Sequence, residues 1–319
     1  MEVLLLFLGL GMLLLGANYL VESSVAIAKK AKLSDFVIGL TIVGIGTSAP
    51  ELLISLTASL QGHGDISLGN VVGSNICNIL LILGMTAVIS PFKIERNTLK
   101  RDIPFNIFTS LLLIILCLDT FFLQSNSNIL SRIDGIIFIV IFIAYMWLTI
   151  KADKVQKEYE ETSHNLKNEK PLWVSILIVC CSLGILLWGG NIFLDSAVAL
   201  AKSWGMSEAV ISLTIVAIGT SLPELITAII AALKGNAQLA LGNVLGSCVF
   251  NILLIIGVSS VISPFEIIGF NITDFLMLAV SAVLVYISAF TLGKYKVDRT
   301  EGFIFVALYI AYTVYLLIK

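Results

Sequence analysis

The sequence predicts an all-α membrane protein of ten transmembrane helices, arranged as two inverted five-helix repeats with broken helices at the core. Three observations point there. The 319 residues are 58% hydrophobic and 13% charged, with a mean hydropathy of +1.02, far to the apolar side of soluble domains. Residues 37–92 return without a gap at 210–265, with 33 of the 56 positions identical. Within each copy an apolar stretch is interrupted by glycine, two hydroxyls, proline and glutamate: "TIVGIGTSAPE" at 41–51 and "TIVAIGTSLPE" at 214–224.

Apolar windows of about 20 residues mark membrane spans. They fall near 3–28, 36–60, 67–89, 103–119, 129–150, 172–200, 209–233, 240–262, 273–291 and 300–318. The first run begins at Met1 with no basic segment before it and no small-residue cleavage site, so it is expected to stay in the mature protein. Residues 1–150 form the first repeat and 172–319 the second. Between them, 151–171 is a charged linker whose five lysines are balanced by five acids, the composition of a solvated hinge.

The repeat extends beyond the best-matched stretch. Gly16, Asn18 and Glu22 pair with Gly189, Asn191 and Asp195, and "RIDGIIFIVIFIAY" from Arg132 resembles "RTEGFIFVALYIAY" from Arg299. A unit of five spans is odd, so the second copy enters the membrane from the opposite side and the repeats are inverted. Lysine and arginine agree: 16 fall on the side holding the loops after odd-numbered spans and three on the other. That asymmetry places the linker in the cytoplasm and both termini outside.

The interruptions carry the chemistry. Pro50 lacks an N–H and crowds the Gly46 carbonyl, while Gly44 and Gly46 loosen the helix further. An unpaired carbonyl in hydrocarbon is costly. On a continuous helix Thr47 and Ser48 would share a face with Glu51, and span 7 repeats the pattern with Gly219, Thr220, Ser221, Pro223 and Glu224. Spans 3 and 8 add polar stripes at helical spacing: Asn70, Ser74 and Asn78, then Asn243, Ser247 and Asn251. A buried ionised carboxylate costs on the order of 3 kcal/mol even on lenient insertion scales, so Glu51 and Glu224 demand a cation or a proton. No Lys or Arg lies in these spans. Oxygen donors without imidazole or thiolate suit a hard cation such as Na⁺ or Ca²⁺, and inverted repeats bring broken helices together at the midplane, the layout of a secondary transporter.

Other features read as structural. Cys77, Cys117, Cys180, Cys181 and Cys248 lie in spans without metal-ligand spacing and are expected to be small apolar fillers. His63 and His164 fall in loops, Asn70 and Asn243 serve equally as interhelical glue or as ligands, and Glu22 and Asp195 sit near the inner ends of spans 1 and 6, where a solvated or gating role fits. No basic stripe speaks for nucleic acid. An intramembrane hydrolase lacks its Ser–His or Asp–Asp pair, and broken inverted repeats favour alternating access over a channel pore.

"GTSAPE" with "GNVVGSNICN", and "GTSLPE" with "GNVLGSCVFN", resemble the paired repeats of the sodium/calcium exchanger family, within the cation/calcium antiporter superfamily, of prokaryotic type. The resemblance spans all ten segments. It implies a core of spans 2, 3, 7 and 8 that holds the ions, with spans 1 and 6 sliding across it. The implied ligands are Glu51 and Glu224 at the centre, hydroxyls from Thr47, Ser48, Ser74, Thr220, Ser221 and Ser247, backbone carbonyls of Gly44 and Ala217, and Asn78. Asn251 stands where some relatives carry Asp, which leaves two carboxylates at the site. The implied activity is Ca²⁺ export against Na⁺ entry, three Na⁺ per Ca²⁺. Proton-coupled Ca²⁺ export is the alternative, because a buried carboxyl holds H⁺ as readily as a cation. The substrates are then Na⁺ and Ca²⁺. No enzyme activity, cofactor or obligatory protein partner is expected, and a compact chain without a targeting segment points to a plasma membrane.

Overall fold

The computed structural model describes residues 1–118, 128–160, 171–205, 217–267, 272–291 and 295–318. Helix α1 (Glu2–Ala31) runs for 30 residues, about 45 Å at the helical rise, and so outreaches a hydrocarbon core of about 30 Å. Helices α2 (Asp35–Thr47) and α3 (Ala49–Leu60) meet at Ser48 with a 48° bend. There follow α4 (Gly64–Ile89), strand β1 (Phe92–Lys93), α5 (Ile103–Leu116), β2 (Ile129–Leu130) and α6 (Arg132–Glu160). The second half holds α7 (Leu172–Ser203), the short α8 (Ala217–Gly219), α9 (Leu222–Leu233), α10 (Ala237–Ile262), β3 (Phe265–Glu266), α11 (Ile272–Ser288), β4 (Lys296–Val297) and α12 (Arg299–Ile318). Six of these helices are long and apolar enough to cross a membrane, and the bent α2–α3 pair makes a seventh. Residues 209–216 of the seventh expected span, and His164 with the later part of the linker, lie outside the described residues.

Burial locates the centre. The most apolar windows of α4 and α10 are 72% and 78% buried, against 28% for α1 and α7 and 22% for α12. The two inner helices are therefore wrapped by the others. Their packing needs missing side chains: a Cβ on Gly242 or Gly246 of α10 would run into the backbone of Phe36 or Leu40 in α2. Both inner helices also widen into π turns at matching places, Cys77–Leu83 and Asn251–Ile256, a local geometry that recurs at functional sites.

Two small antiparallel pairings close the ends. Phe92–Lys93 pairs with Lys296–Val297, and Ile129–Leu130 pairs with Phe265–Glu266. Each joins the end of one inner helix to the start of an outer helix from the other half. At the β1 end, Ser34 caps α2 by accepting from the Val37 N–H, and Asp153 holds that cap by accepting from the Ser34 N–H and hydroxyl, both at 2.7 Å.

Two expectations need correction. Cys77, Cys117 and Cys248 are buried as expected, but Cys180 and Cys181 are exposed, Cys181 toward a groove between α1 and α7, because α7 is a peripheral helix with only one packed side. Glu22 and Asp195 do not share an end. Gly9 packs on Phe193 and Gly16 on Leu186, which makes α1 and α7 antiparallel and places Asp195 at the end opposite Glu22.

Candidate ion-binding site

Both helix breaks have one geometry. Ser48 has φ −82° and ψ 13°, and Ser221 has φ −91° and ψ 9°. Each is followed by a proline within the first turn of a new helix, where a missing N–H costs nothing. The chain restarts its helix at Ala49, and the carbonyl of Gly44 collects donors beside the break. Gly44 O accepts from the Ser48 N–H at 3.2 Å, the Thr47 hydroxyl at 3.4 Å and the Ser247 hydroxyl at 3.3 Å.

The restart also reassigns the hydroxyls. Ser48 does not bond its own Glu51; its Oγ donates to Glu224 Oε1 at 2.8 Å, and Ser221 Oγ donates to Glu51 Oε1 at 3.4 Å. The bend turns each serine away from its own helix and toward the opposite half. Ser74 lies beside Glu51, and Thr47 beside Glu224. Both carboxylates are only 1% exposed, and no Lys or Arg pairs with either among the described residues. Nor does any group of three or more His, Cys, Asp and Glu side chains gather among the described residues.

Four buried oxygens around the breaks have no hydrogen-bond donor: Glu51 Oε2, Glu224 Oε2, Asn78 Oδ1 and Asn251 Oδ1. An unmet buried acceptor costs about 1–3 kcal/mol, more when charged. Four of them, all acceptors, in a centre rich in hydroxyls make an environment that a cation satisfies and a further acceptor would not. Thr220 and Ser247 are buried with them, and the Ala217 backbone opens α8 one turn before the second break.

The asparagines divide by task. Asn70 Nδ2 donates to Glu51 O and Ser55 Oγ at 3.1 and 3.0 Å, and Asn243 Nδ2 donates to Glu224 O at 3.4 Å. These two tie the broken helices to α4 and α10. Asn243 Oδ1 also accepts from Thr47 at 3.2 Å. Sequence reasoning assigned no role to Asn75, whose Nδ2 donates to Cys248 O and whose Oδ1 accepts from Asn251 Nδ2, both at 3.1 Å. Its repeat counterpart is Cys248, so duplication gave it no signal. Through Asn75 the free Oδ1 of Asn251 is held in place.

Glu22 lies apart from this centre. Its Oε1 is 2.7 Å from Lys234 Nζ, which also donates to Asn18 O at 3.1 Å, and the Glu22 side chain is 57% exposed.

Comparison with known proteins follows the same residues. The family model described as "Sodium/calcium exchanger protein" matches residues 1–151 and 174–318. The chain is 37% identical over 314 residues to a putative antiporter, CaxA, of Alkalimonas amylolytica, covering 95% of each. It is 34% identical over 345 residues to the sodium/calcium exchanger MaX1 of Methanosarcina acetivorans, covering 98% of this chain and 97% of that one. Among solved structures, the sodium-calcium exchanger NCX_Mj soaked with 10 mM Na⁺ and zero Ca²⁺ superimposes with a TM-score of 0.82 at 32% identity over 97% of both chains. A form soaked with 10 mM Na⁺ and 10 mM Sr²⁺ gives 0.82 at 33%. With the motif, the fold and the buried oxygen site in agreement, this chain belongs to the sodium/calcium exchanger family.

Proposed function

We propose that the chain is a secondary active antiporter that exchanges Na⁺ for Ca²⁺ by alternating access, three Na⁺ against one Ca²⁺ per cycle. The observation that carries this reading is the pair Glu51 and Glu224: each has one oxygen braced by a serine of the opposite half and one oxygen with no donor. In this reading the two carboxylates sit at the centre of the ion site. Thr47, Ser48, Ser74, Thr220, Ser221 and Ser247 supply hydroxyl oxygens, Gly44 and Ala217 backbone carbonyls, and Asn78 and Asn251 amide oxygens. The names of the relatives favour Na⁺ and Ca²⁺ as substrates, and the NCX_Mj structures were obtained with Na⁺, Ca²⁺ or Sr²⁺.

The same proposal takes the chain as ten spans in two inverted repeats in the plasma membrane, with the linker cytoplasmic and both termini outside. Its support is the lysine and arginine split, together with contacts that join segments expected on one side: Phe92–Lys93 with Lys296–Val297, Ser34 with Asp153, and Glu22 with Lys234. Helices α1 and α7 are the moving pair. α1 packs along α9, whereas its counterpart α7 makes at most slight contact with α3, an imbalance expected of inverted repeats held in one of two alternating states.

Purified protein in liposomes loaded with Na⁺ tests the reading. Ca²⁺ uptake should follow the outward Na⁺ gradient and stop when Na⁺ is replaced by choline. Uptake that instead follows an imposed pH gradient would establish proton coupling.

A further inference from the structure

Helices α1 and α7 touch where glycines let them, at Gly9, Gly16 and Gly189. Beyond Gly16, toward the Lys-bearing end of α1, they diverge and leave a groove of about 550 Å³. Its floor carries the buried serines Ser23, Ser175 and Ser182, its walls are aliphatic side chains such as Ile178 and Ile185, and Lys29 and Tyr19 mark its two ends.

We propose that this groove binds an anionic phospholipid of the leaflet that meets Lys29, with one acyl chain along the groove and the phosphate at the Lys29 ammonium. Three observations fix the occupant. The groove opens sideways among exposed apolar residues on its α7 side, with Leu177 at 54% and Ile176 at 47% exposure, so that side faces hydrocarbon. Its length matches one leaflet: ten residues from Tyr19 to Lys29 rise about 15 Å, half of a hydrocarbon core of about 30 Å.

Charge and depth agree at the far end. Lys29 is exposed in the last turn of α1 and has no carboxylate partner among the described residues. The other charge on the lining, Glu22, is already paired with Lys234. Continuing the α1–α7 register brings Lys29 level with Trp173, which is 67% exposed, and tryptophan and lysine settle at the headgroup layer. A basic position between spans at that depth attracts an anionic headgroup, and one lysine near such a surface is worth about a fivefold preference.

The test is native mass spectrometry of the delipidated, detergent-purified full chain, titrated with phosphatidylglycerol and with phosphatidylcholine. It is read without ion flux, so it stands or fails separately from the exchange mechanism. Wild type should bind one phosphatidylglycerol about fivefold more tightly than phosphatidylcholine. Lys29→Gln should remove the preference, Lys29→Arg and Lys30→Gln should keep it, and Ile178→Trp, which fills the groove, should weaken both lipids. Ala26→Phe serves if Ile178→Trp does not elute as a folded species. Equal binding of the two lipids by wild type, or an unchanged preference in Lys29→Gln, overturns the headgroup assignment. Unchanged binding in the groove-filling variant overturns the site.

Discussion

The hydroxyl of Ser48, at the helix break of one half, donates to Glu224 Oε1 of the other half at 2.8 Å. The mirrored bond from Ser221 to Glu51 is longer, at 3.4 Å, so two related braces are unequal. A hydrogen bond to a charged group contributes about 1.5–3 kcal/mol. Ser48→Ala should therefore raise the Ca²⁺ concentration for half-maximal uptake by at least about tenfold, Ser221→Ala should raise it less, and Ser48→Thr should stay near wild type. The measurement is initial uptake rate against Ca²⁺ concentration in liposomes. Equal effects of the two alanines would show that the braces are equivalent in the working protein.

Glu51→Gln or Glu224→Gln removes half of the negative charge that faces a divalent ion. Ca²⁺ flux should fall to near background in each variant, while size-exclusion behaviour and helical circular dichroism persist, since a neutral amide is cheaper to bury than a carboxylate. Flux near the wild-type rate in both variants would mean that the ions are held elsewhere.

The helical, membrane-type character was legible because a bilayer writes itself into composition, and the sequence repeat because 33 of 56 positions survived duplication. Glu51 and Glu224 stood out as acids without a countercharge in apolar spans. Their partners did not. Whether Ser48 bonds the glutamate three residues on or the one across the molecule depends on where the helix restarts, and a 48° bend settles that in space and not along the chain. Asn75 was illegible for a different reason: its task is to position Asn251, and one asparagine facing a cysteine in the repeat carries no pattern. The wide turns at Cys77–Leu83 and Asn251–Ile256 likewise lie in runs of leucine and isoleucine whose periodicity suits an ordinary helix.

Glu22 and Lys234 join α1 to the end of α9, and the repeat counterparts Asp195 and Gln61 cannot form an ion pair. In the proposed alternating-access cycle the link therefore favours one state only. Because Glu22 is largely exposed, the contribution is that of a surface pair, about 0–1 kcal/mol. Glu22→Gln should shift the ratio of the two states by at most about fivefold, and the exchange Glu22→Lys with Lys234→Glu should restore it. Fluorescence energy transfer between dyes on α1 and α3 reads the shift. An unchanged distribution in Glu22→Gln would leave the pair without a gating role.

Sidedness is open to direct labelling. In a background lacking the exposed Cys180 and Cys181, a cysteine at Arg96 should react with an impermeant maleimide only from the cytoplasm, and one at His63 only from outside. Reaction of both from one side would contradict the inverted arrangement.

The last prediction concerns charge movement. Glu51 and Glu224 supply two negative charges, with no third acid in a cluster among the described residues. One Ca²⁺ neutralises them, and three Na⁺ leave one net positive charge. An empty site carrying two bare charges past a low-dielectric barrier is costly, so the protein should change state when loaded with either set of ions and not when empty. Each cycle then moves one positive charge in the direction of Na⁺. In Na⁺-loaded vesicles three charges leave as two enter, so an inside-positive potential set with K⁺ and valinomycin should accelerate Ca²⁺ uptake and an inside-negative one should slow it. Uptake driven by Na⁺ but indifferent to voltage would mean two Na⁺ per Ca²⁺, and the third Na⁺ would have no place in the cycle.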